Sequence, residues 1–347
     1  MNRILVTGGA GFIGSHTCIT LLESGYDLLI IDSFINSSEV SLKRVKEMSD
    51  NKNINYLKGD IRNLEFLDSI FSNAIQEGKP IDAVIHFAGL KSVSESTKIP
   101  LTYWDVNVVG SIALFSIMRK YKCYTIVFSS SATIYGNTDK VPIKEDSLIS
   151  PINPYGESKA TVEKILSDLS LSAPFDWRIA CLRYFNPVGA HPSGRIGEDP
   201  LGIPNNLFPY ITNVAGGQIK QVEVFGNDWP TQDGTGVRDY VHVLDLAEAH
   251  KSALECLFAE PAQLLILNLG NGFGLSVLEI INTFSRVNNC EVPYVFAARR
   301  PGDIAISYAD IALSKARLNW YPKRSIEDMC RDTWRWKLNN PIGYRSK

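Results

Sequence analysis

Apolar residues along this chain fall into two alternating kinds of run. Short continuous runs come first: Ile4-Leu5-Val6, Leu28-Leu29-Ile30-Ile31, Ile54-Asn55-Tyr56-Leu57, Ala83-Val84-Ile85-His86-Phe87, Thr125-Ile126-Val127-Phe128 and Ile179-Ala180-Cys181-Leu182-Arg183. Runs of this length read as buried strands. Between them, apolar residues recur three or four apart, the spacing of one helical face. Examples are Cys18, Leu21 and Leu22; Leu64, Leu67, Ile70 and Phe71; Trp104, Val108, Ile112 and Phe115; and Val162, Ile165, Leu166 and Leu169. Residues 38–49 and 244–258 also read as helices, and Asn153 predicts a helix cap with Pro154 at the first turn. Strand and helix alternating in this way predict an α/β fold with a doubly wound parallel sheet. Ligands of such sheets bind beyond the C-terminal strand ends. Asp32, Asp60, Gly89, Ser131 and Tyr184 fall at those ends and are expected to ring one crevice.

After residue 185 the texture changes. Asn186-Pro187, His191-Pro192-Ser193-Gly194, Asp199-Pro200 and Ile203-Pro204 break the pattern, with short strands such as Val222-Glu223-Val224-Phe225 between them. This predicts a smaller α+β substrate lobe laid over the crevice. The expected division is discontinuous: residues 1–184 plus about 236–268 as a dinucleotide-binding Rossmann domain, and 185–235 plus about 269–347 as the lobe.

The first strand leads into Thr7-Gly8-Gly9-Ala10-Gly11-Phe12-Ile13-Gly14, then a helix ended by Gly25, then a second strand ending in Asp32. Strand, glycine loop, helix, strand and acid at these spacings make a dinucleotide site. Gly8 permits the turn, Gly11 lets backbone approach a pyrophosphate, and Gly14 lets the helix lie close to the strand. The helix N-terminus offers free N–H groups to phosphate. Asp32 is placed to accept hydrogen bonds from ribose hydroxyls, and no arginine follows it at once to accommodate a 2′-phosphate. NAD is therefore expected as the cofactor.

Bulk properties remove other classes. The chain of 347 residues carries a net charge of −2, which gives no general attraction to nucleic acid or membrane. Six cysteines without CxxC spacing read as reduced core residues, neither a disulfide frame nor a metal site. No signal segment opens the chain, and no apolar run stands out as a membrane span. The expectation is a cytoplasmic enzyme without a metal.

Tyr155 and Lys159 sit four apart near the start of one helix, so they share a face. A phenol with an ordinary pKa of about 10 must be lowered by roughly three units to act as a base near neutral pH. A nearby ammonium pushes in that direction. Ser131, at a preceding strand end, is placed to help position the proton transfer. A tyrosine beside a solvated lysine is common by chance; the complete glycine fingerprint upstream gives this pair its weight.

These residues resemble the extended short-chain dehydrogenase/reductase family, and within it the branch that inverts UDP-hexoses at C4. The resemblance rests on Thr7-Gly8-x-x-Gly11-x-x-Gly14, Asn107, Ser131 and Tyr155-x-x-x-Lys159. It extends through His86-Phe87-Ala88-Gly89-Leu90-Lys91, Ser129-Ser130-Ser131-Ala132-Thr133-Ile134-Tyr135-Gly136 and Arg183-Tyr184-Phe185-Asn186-Pro187-Val188-Gly189-Ala190-His191. Gly202-Ile203-Pro204-Asn205-Asn206-Leu207, Phe225-Gly226-Asn227-Asp228, Asp233-Gly234-Thr235-Gly236-Val237-Arg238-Asp239-Tyr240 and Arg299-Arg300-Pro301-Gly302-Asp303 complete it. It covers nearly the whole chain.

The resemblance implies a cycle in which Tyr155 takes the 4-hydroxyl proton of a UDP-hexose, C4 is oxidised by NAD, and the keto-sugar turns and is reduced on its other face. It implies cofactor contacts from Phe12, Ile13, Ser33, Phe34, Ile35, Asn36, Ser37, Ile61, Phe87, Ala88, Gly89, Lys91, Asn107 and Phe185. Substrate contacts are implied for Lys91, Ser131, Tyr155, Tyr184, Asn186, Asn206, Leu207, Glu223, Val224, Phe225, Arg238, Arg300, Asp303 and Ser307. Arg238 and Arg300 suit the diphosphate, because guanidinium forks match phosphate oxygens. A homodimer paired through the helices near 102–120 and 153–170 is implied as well, although such stripes can equally face the sheet.

Two departures stand out. Val106 replaces a polar residue that the family often carries beside Asn107. Ser307 falls where relatives carry either a tyrosine or a small residue, and the small side chain implies room for the 2-acetamido group of UDP-GlcNAc and UDP-GalNAc. Competing readings are a sugar-nucleotide dehydratase or decarboxylase and a non-catalytic NAD sensor. Dehydration needs an added acid and base after Ser131, where this chain has Ala132 and Thr133.

Overall fold

The six apolar runs become six strands of one parallel sheet. In the computed structural model, which describes residues 2–49, 54–138, 140–200, 206–300 and 302–345, these are β1 (Arg3–Thr7), β2 (Asp27–Asp32), β3 (Ile54–Lys58), β4 (Ile81–His86), β5 (Thr125–Ser131) and β6 (Arg178–Tyr184). The strands that follow are β7 (Asn186–Val188), β8 (Val222–Phe225), β9 (Val237–Arg238), β10 (Tyr240–His242), β11 (Gln263–Leu269), β12 (Leu275–Ser276), β13 (Tyr294–Ala297) and β14 (Ile306–Ser307). The helices used below are α1 (Phe12–Glu23), α2 (Glu39–Met48), α3 (Leu64–Gln76), α4 (Val93–Ser96), α5 (Pro100–Tyr103), α6 (Gly110–Lys120), α7 (Pro154–Ser172), α8 (Leu207–Ala215) and α9 (Val243–Ala259).

The large sheet has the order β11-β6-β5-β4-β1-β2-β3, with every pairing parallel. Its seventh strand, β11, is not among the six runs read above. The chain runs outward from β1 to β3, then crosses back to β4 on the other side of β1. That reversal makes the β1/β4 edge the switch point where a crevice opens.

Both sheet faces are covered, which is why the strands are apolar throughout. Ile4 and Val6 of β1 face one core with Leu28, Ile30, Ala83, Ile85, Ala180 and Leu182, together with Cys18 and Leu21 of α1 and Leu246, Ala253 and Leu257 of α9. Leu5 faces the other core with Val84, Ile126 and Ile179, against Leu67 and Phe71 of α3 and Leu114 and Met118 of α6. The alternation is the period of two expected of strand side chains. A third core gathers Val188, Phe208, Val224, Tyr240, Phe284 and Met329. The cores interleave along the chain: Tyr240 joins the third, while Ile196, Leu318 and Trp320 join the first.

The expected long helix through Trp104 and Phe115 is a composite. α5 passes into a π-helical stretch, Trp104–Val109, before α6 begins. The whole run Pro100–Lys120 is 21 residues and, by length and composition, apolar enough to cross a bilayer, contrary to the expectation from the pattern of runs. Slightly more than half of its apolar window, 56%, is buried inside the protein, as the core helix of a folded domain would be. All six cysteines are free, and four of them are buried.

Candidate active site

The glycine loop is shaped by its neighbours. Gly8 has φ +71, and a Cβ there would lie 2.6 Å from the backbone nitrogen of Ala88. At Gly14 a Cβ would lie 2.4 Å from the Gly8 carbonyl oxygen. At Gly11 the nearest atom would be that same oxygen at 3.4 Å, close to an ordinary contact. Gly8 and Gly14 are thus required by the fold itself, whereas Gly11 presents bare backbone to the cavity. α1 begins at Gly11 without a side-chain cap, so the first N–H groups and the positive end of the helix are offered to a ligand.

Asp32 ends β2 and is buried. Its Oδ2 accepts from Ala10 N at 2.9 Å, and its Oδ1 accepts from Phe34 N at 2.9 Å and Ser37 Oγ at 2.8 Å. The carboxylate therefore braces the glycine loop against the loop after β2 while facing the cleft. Asp60 is held by Arg62, whose guanidinium pulls its carboxyl below the ordinary value.

Ser131 is the last residue of β5. Its Oγ accepts from Thr133 N at 3.2 Å and Thr133 Oγ1 at 2.9 Å. A hydroxyl has two acceptor sites and one donor. Both acceptor sites are filled here, so the O–H remains to be offered to Tyr155, whose phenol Ser131 draws down, or to a substrate oxygen. α7 starts at Asn153, whose Oδ1 accepts from Gly156 N at 2.9 Å. That cap sets Tyr155 and Lys159 on its first turns. Lys159 is buried and donates to the Ser129 carbonyl at 2.7 Å.

Burial pulls Lys159 down to about 8, against the pull of the Glu163 carboxylate. Burial pushes the Tyr155 phenol up, and the Ser131 hydrogen bond draws it back. The expected lowering of Tyr155 by Lys159 is therefore not its main influence. The ammonium is turned to Ser129 O and lies 6.0 Å from the centre of the Tyr155 ring.

Across the cleft lie two arginines. Arg238 on β9 is largely desolvated, which lowers it from its ordinary value, and neighbouring Arg300 lowers it further. Arg300 lies over the Phe225 ring at 4.6 Å and donates through Nε to Asp303 Oδ2 at 3.0 Å. Two guanidiniums in a partly dry setting favour an anion between them. Lys91 Nζ and Asn206 Nδ2 both reach the Glu198 carboxylate, at 3.2 and 3.0 Å.

Gly8, Gly11, Gly14, Asp32, Asp60, Lys91, Ser131, Tyr155, Lys159, Glu198, Asn206, Arg238 and Arg300 line one cavity of about 690 Å³. Tyr184 also lines it; its hydroxyl donates to His250 Nε2, because His250 Nδ1 donates to the Leu246 carbonyl.

A family model described as GDP-mannose 4,6 dehydratase matches residues 5–333. The UDP-glucose 4-epimerase of Bacillus subtilis (strain 168) is 53% identical over 343 residues, which cover 99% of either chain. The chain belongs to the UDP-glucose 4-epimerase family. Solved relatives agree. The Stenotrophomonas maltophila UDP-glucose 4-epimerase with bound NAD and formylated UDP-arabinopyranose matches at a TM-score of 0.94 and 46% identity, over 98% of this chain and 99% of that one. The Bifidobacterium longum enzyme in complex with NAD+ and UDP matches at 0.92 and 44%, over 99% and 100%.

Most of the residues expected for an epimerase of this family do meet in the cavity. From the cofactor set these are Gly8, Gly11, Phe12, Ile13, Gly14, Asp32, Ser33, Ile35, Asn36, Ser37, Asp60, Ile61, Phe87, Ala88, Gly89, Lys91 and Phe185. The reacting set is Ser131, Tyr155 and Lys159. The substrate set is Tyr184, Asn186, Asn206, Leu207, Glu223, Val224, Phe225, Arg238, Arg300 and Asp303. Of the quoted motifs, residues 202–205 and Pro301 lie outside the described residues.

Three expected residues are not in the lining. Phe34 has φ +56, and its ring packs on the first core. Asn107 is buried behind the site, where it accepts from Leu90 N at 2.8 Å and donates to Leu90 O and Ser158 Oγ, each at 3.0 Å. It positions the segment after β4, while Val106 faces the cleft. Ser307 pairs in register with Arg238 across β14 and β9. Register partners project on the same face of a sheet, and of this pair Arg238 lines the cavity while Ser307 does not.

Arg62, Thr133, Glu198, Tyr210, Trp229 and Tyr344 line the cavity without having been expected. Each is a single residue carried in from a loop or helix end, with no spacing that marks it. Among the described residues no group of three or more His, Cys, Asp or Glu side chains is placed to hold a metal ion.

Proposed function

We propose that this chain interconverts UDP-glucose and UDP-galactose, inverting the sugar at C4. The observation that carries the reading is the placement of Ser131, Tyr155 and Lys159 in one cavity between the glycine cradle and the Arg238–Arg300 pair. The cradle suits NAD: bare backbone at Gly11, an uncapped helix start and the buried Asp32 carboxylate match a pyrophosphate and a ribose. Bound there, NAD supplies the hydride acceptor and donor for C4.

The chain's own residues do the rest. Tyr155 accepts the 4-hydroxyl proton and later returns it to the inverted oxygen. Ser131 donates to that oxygen or to the phenolate and keeps the two aligned. Lys159 supplies the positive charge that stabilises the phenolate. Arg238 and Arg300 hold the diphosphate while the sugar turns, so the 4-keto sugar stays tethered. The lobe that carries them covers the crevice and limits water.

Ala132 and Thr133 follow Ser131 and hold no carboxylate, which disfavours the dehydratase reading despite the name of the family model. A finer reading is that N-acetylated UDP-hexosamines are also accepted, supported by the short Ser307 side chain beside Arg238. A homodimer is supported by Val109 and Ile112, whose apolar side chains stand exposed on the 100–120 helix. The test is to supply UDP-Gal, UDP-Glc, UDP-GalNAc and UDP-GlcNAc separately without added cofactor and to identify the products. Interconversion of the first pair is expected; a dehydrated or decarboxylated product, or none, refutes the reading.

A further inference from the structure

We propose that Glu163, ion-paired to Arg183, is a positioning residue that seats α7 against β5 and β6 so that Tyr155 and Lys159 land beside Ser131. The proposal rests on the epimerase reading above. Glu163 and Arg183 are 5% and 1% exposed, and neither faces the cavity. Buried ions of this kind persist only when every donor and acceptor is matched.

Here they are matched. Arg183 Nη2 reaches Glu163 Oε2 at 2.7 Å, and Nε reaches Oε1 at 3.0 Å. Arg183 Nη1 donates to Tyr135 OH and to the Glu145 carbonyl, both at 2.8 Å. Tyr135 OH passes its own hydrogen to Asn268 Oδ1 at 2.7 Å. Ser130 Oγ donates to the Glu163 carboxylate.

The sequence neighbours give this plate its meaning. Ser130 precedes Ser131, Arg183 precedes Tyr184, and Glu163 stands one helical turn beyond Lys159. One buried carboxylate therefore ties together the three elements that deliver these groups, from the side away from the substrate. A single apolar contact would leave α7 free to slide or rotate; a bidentate ion pair does not.

The same carboxylate acts on Lys159 through charge. The titratable groups around Glu163 are Lys159 on its own helix, Arg183 and Cys181 on β6, Tyr135 after β5 and Glu145 in the following loop. His86 on β4 also faces Lys159. Burial leaves Cys181, Tyr135 and His86 neutral near pH 8. The charge that reaches Lys159 from this plate is then Glu163, which favours the ammonium; with Glu163 neutralised, the stranded Arg183 guanidinium would oppose it.

Three variants test this. Glu163→Gln removes the negative charge and strands the positive one, so the alkaline limb of kcat/KM for UDP-galactose should move down by about one pH unit or more. Glu163→Gln with Arg183→Gln removes both charges, and the limb should return towards wild type while kcat stays low. Glu163→Asp keeps the charge but shortens the reach, so kcat should fall with the limb in place. A titration of the lysine side-chain nitrogens by NMR reads the same displacement of Lys159 without turnover. It keeps the test separate from the activity, whose own failure would appear as an inactive wild type. An unmoved Lys159 titration in Glu163→Gln, or equal displacements in the single and double variants, overturns the charge role. An unchanged kcat in Glu163→Asp overturns the positioning role. Should Glu163→Gln not fold, Glu163→Asp still decides the positioning role, and Arg183→Gln decides the charge role: it leaves the Glu163 carboxylate unopposed, so the Lys159 titration should move up, and an unmoved one overturns that role.

Discussion

Replacing Gly11 by valine should empty the nucleotide cradle and leave the fold standing. The structure separates this glycine from its neighbours. A Cβ at Gly14 would sit 2.4 Å from the Gly8 carbonyl oxygen and 2.8 Å from Gly9 Cα, so something in the backbone must move. A Cβ at Gly11 meets only the Gly8 oxygen at 3.4 Å, and its φ of −69 and ψ of 176 suit any residue. Within the protein the cost is that of a poorer cap, about 1 kcal/mol. Towards the ligand it is larger, because the added carbons stand where a pyrophosphate must approach the first N–H groups of α1. Hydrogen bonds from backbone to a charged oxygen contribute about 1.5–3 kcal/mol each. Losing two removes about 3–6 kcal/mol, which is roughly 100-fold to 10⁴-fold in affinity. Nucleotide released from acid-quenched protein and counted per chain measures retention; urea unfolding measures the fold. Wild type is expected to hold NAD and Gly11→Val to lack it while unfolding cooperatively. Gly14→Ala should instead lose stability, by about 1–3 kcal/mol. Gly11→Val carrying one NAD per chain would refute the assignment of that bare backbone to the pyrophosphate.

Tyr155→Phe should keep its nucleotide and lose at least about 100-fold in turnover, since it removes a general base; unchanged turnover removes Tyr155 from the mechanism. Lys159 is pulled down to about 8 by burial, so its ammonium is populated below that pH and lost above it. Activity should decline on an alkaline limb near pH 8, absent from the residual rate of Lys159→Met. Its folded pKa lies below the unfolded value, so the same group adds stability as the pH rises through about 8 and withdraws it as the pH falls. Ser307→Tyr should reduce kcat/KM for UDP-GalNAc far more than for UDP-galactose; a wild type inactive on UDP-GalNAc ends that reading.

The parts of this site legible in the sequence are those set by local chemistry. β1, the glycine loop, α1 and Asp32 lie within 32 residues, and each follows from a steric or dipolar need of its neighbours. Ser131, Tyr155 and Lys159 are legible because a strand end and one helix face fix them. What escaped depends on contacts between distant segments. Glu198 enters the cavity from a loop and meets Lys91, 107 residues away. Tyr344 comes from near the C-terminus to bond Gly197. The π-helical turn at Trp104–Val109 leaves the apolar spacing of a helix almost intact, so the pattern does not betray it. Within that turn Val106 lines the cleft and Asn107 is buried behind it. Phe34 stands outside the lining for the opposite reason: an aromatic beside a nucleotide loop looks like a ligand contact, while here Asp32 Oδ1 accepts from its N–H and its ring packs on the core.

The polar groups of the cavity are distributed in a way that suits a sugar that must turn. Donors that could grip the hexose are already committed. The Tyr184 hydroxyl donates to His250, and the Asn186 amide donates to the Asp239 carbonyl at 2.8 Å. Ser131 has both acceptor positions filled by Thr133 and keeps one hydrogen to offer. The attraction left over lies elsewhere: Arg300 pairs with Asp303 and Arg238 donates to the Val237 carbonyl, yet each guanidinium has further N–H groups to offer, and α1 starts uncapped. Strong binding directed at the phosphates holds both epimers equally and leaves the hexose free to present either face. Binding directed at the hexose would favour one epimer and resist the turn, since uniform affinity for a ground state does not speed a reaction. An enzyme of this kind therefore needs its reacting centre to be weakly adhesive. Arg238→Ala should accordingly raise KM and let the keto-sugar escape, detectable as a borohydride-reducible ketone in solution, whereas filling the hexose end with a new donor should slow the turn without weakening binding.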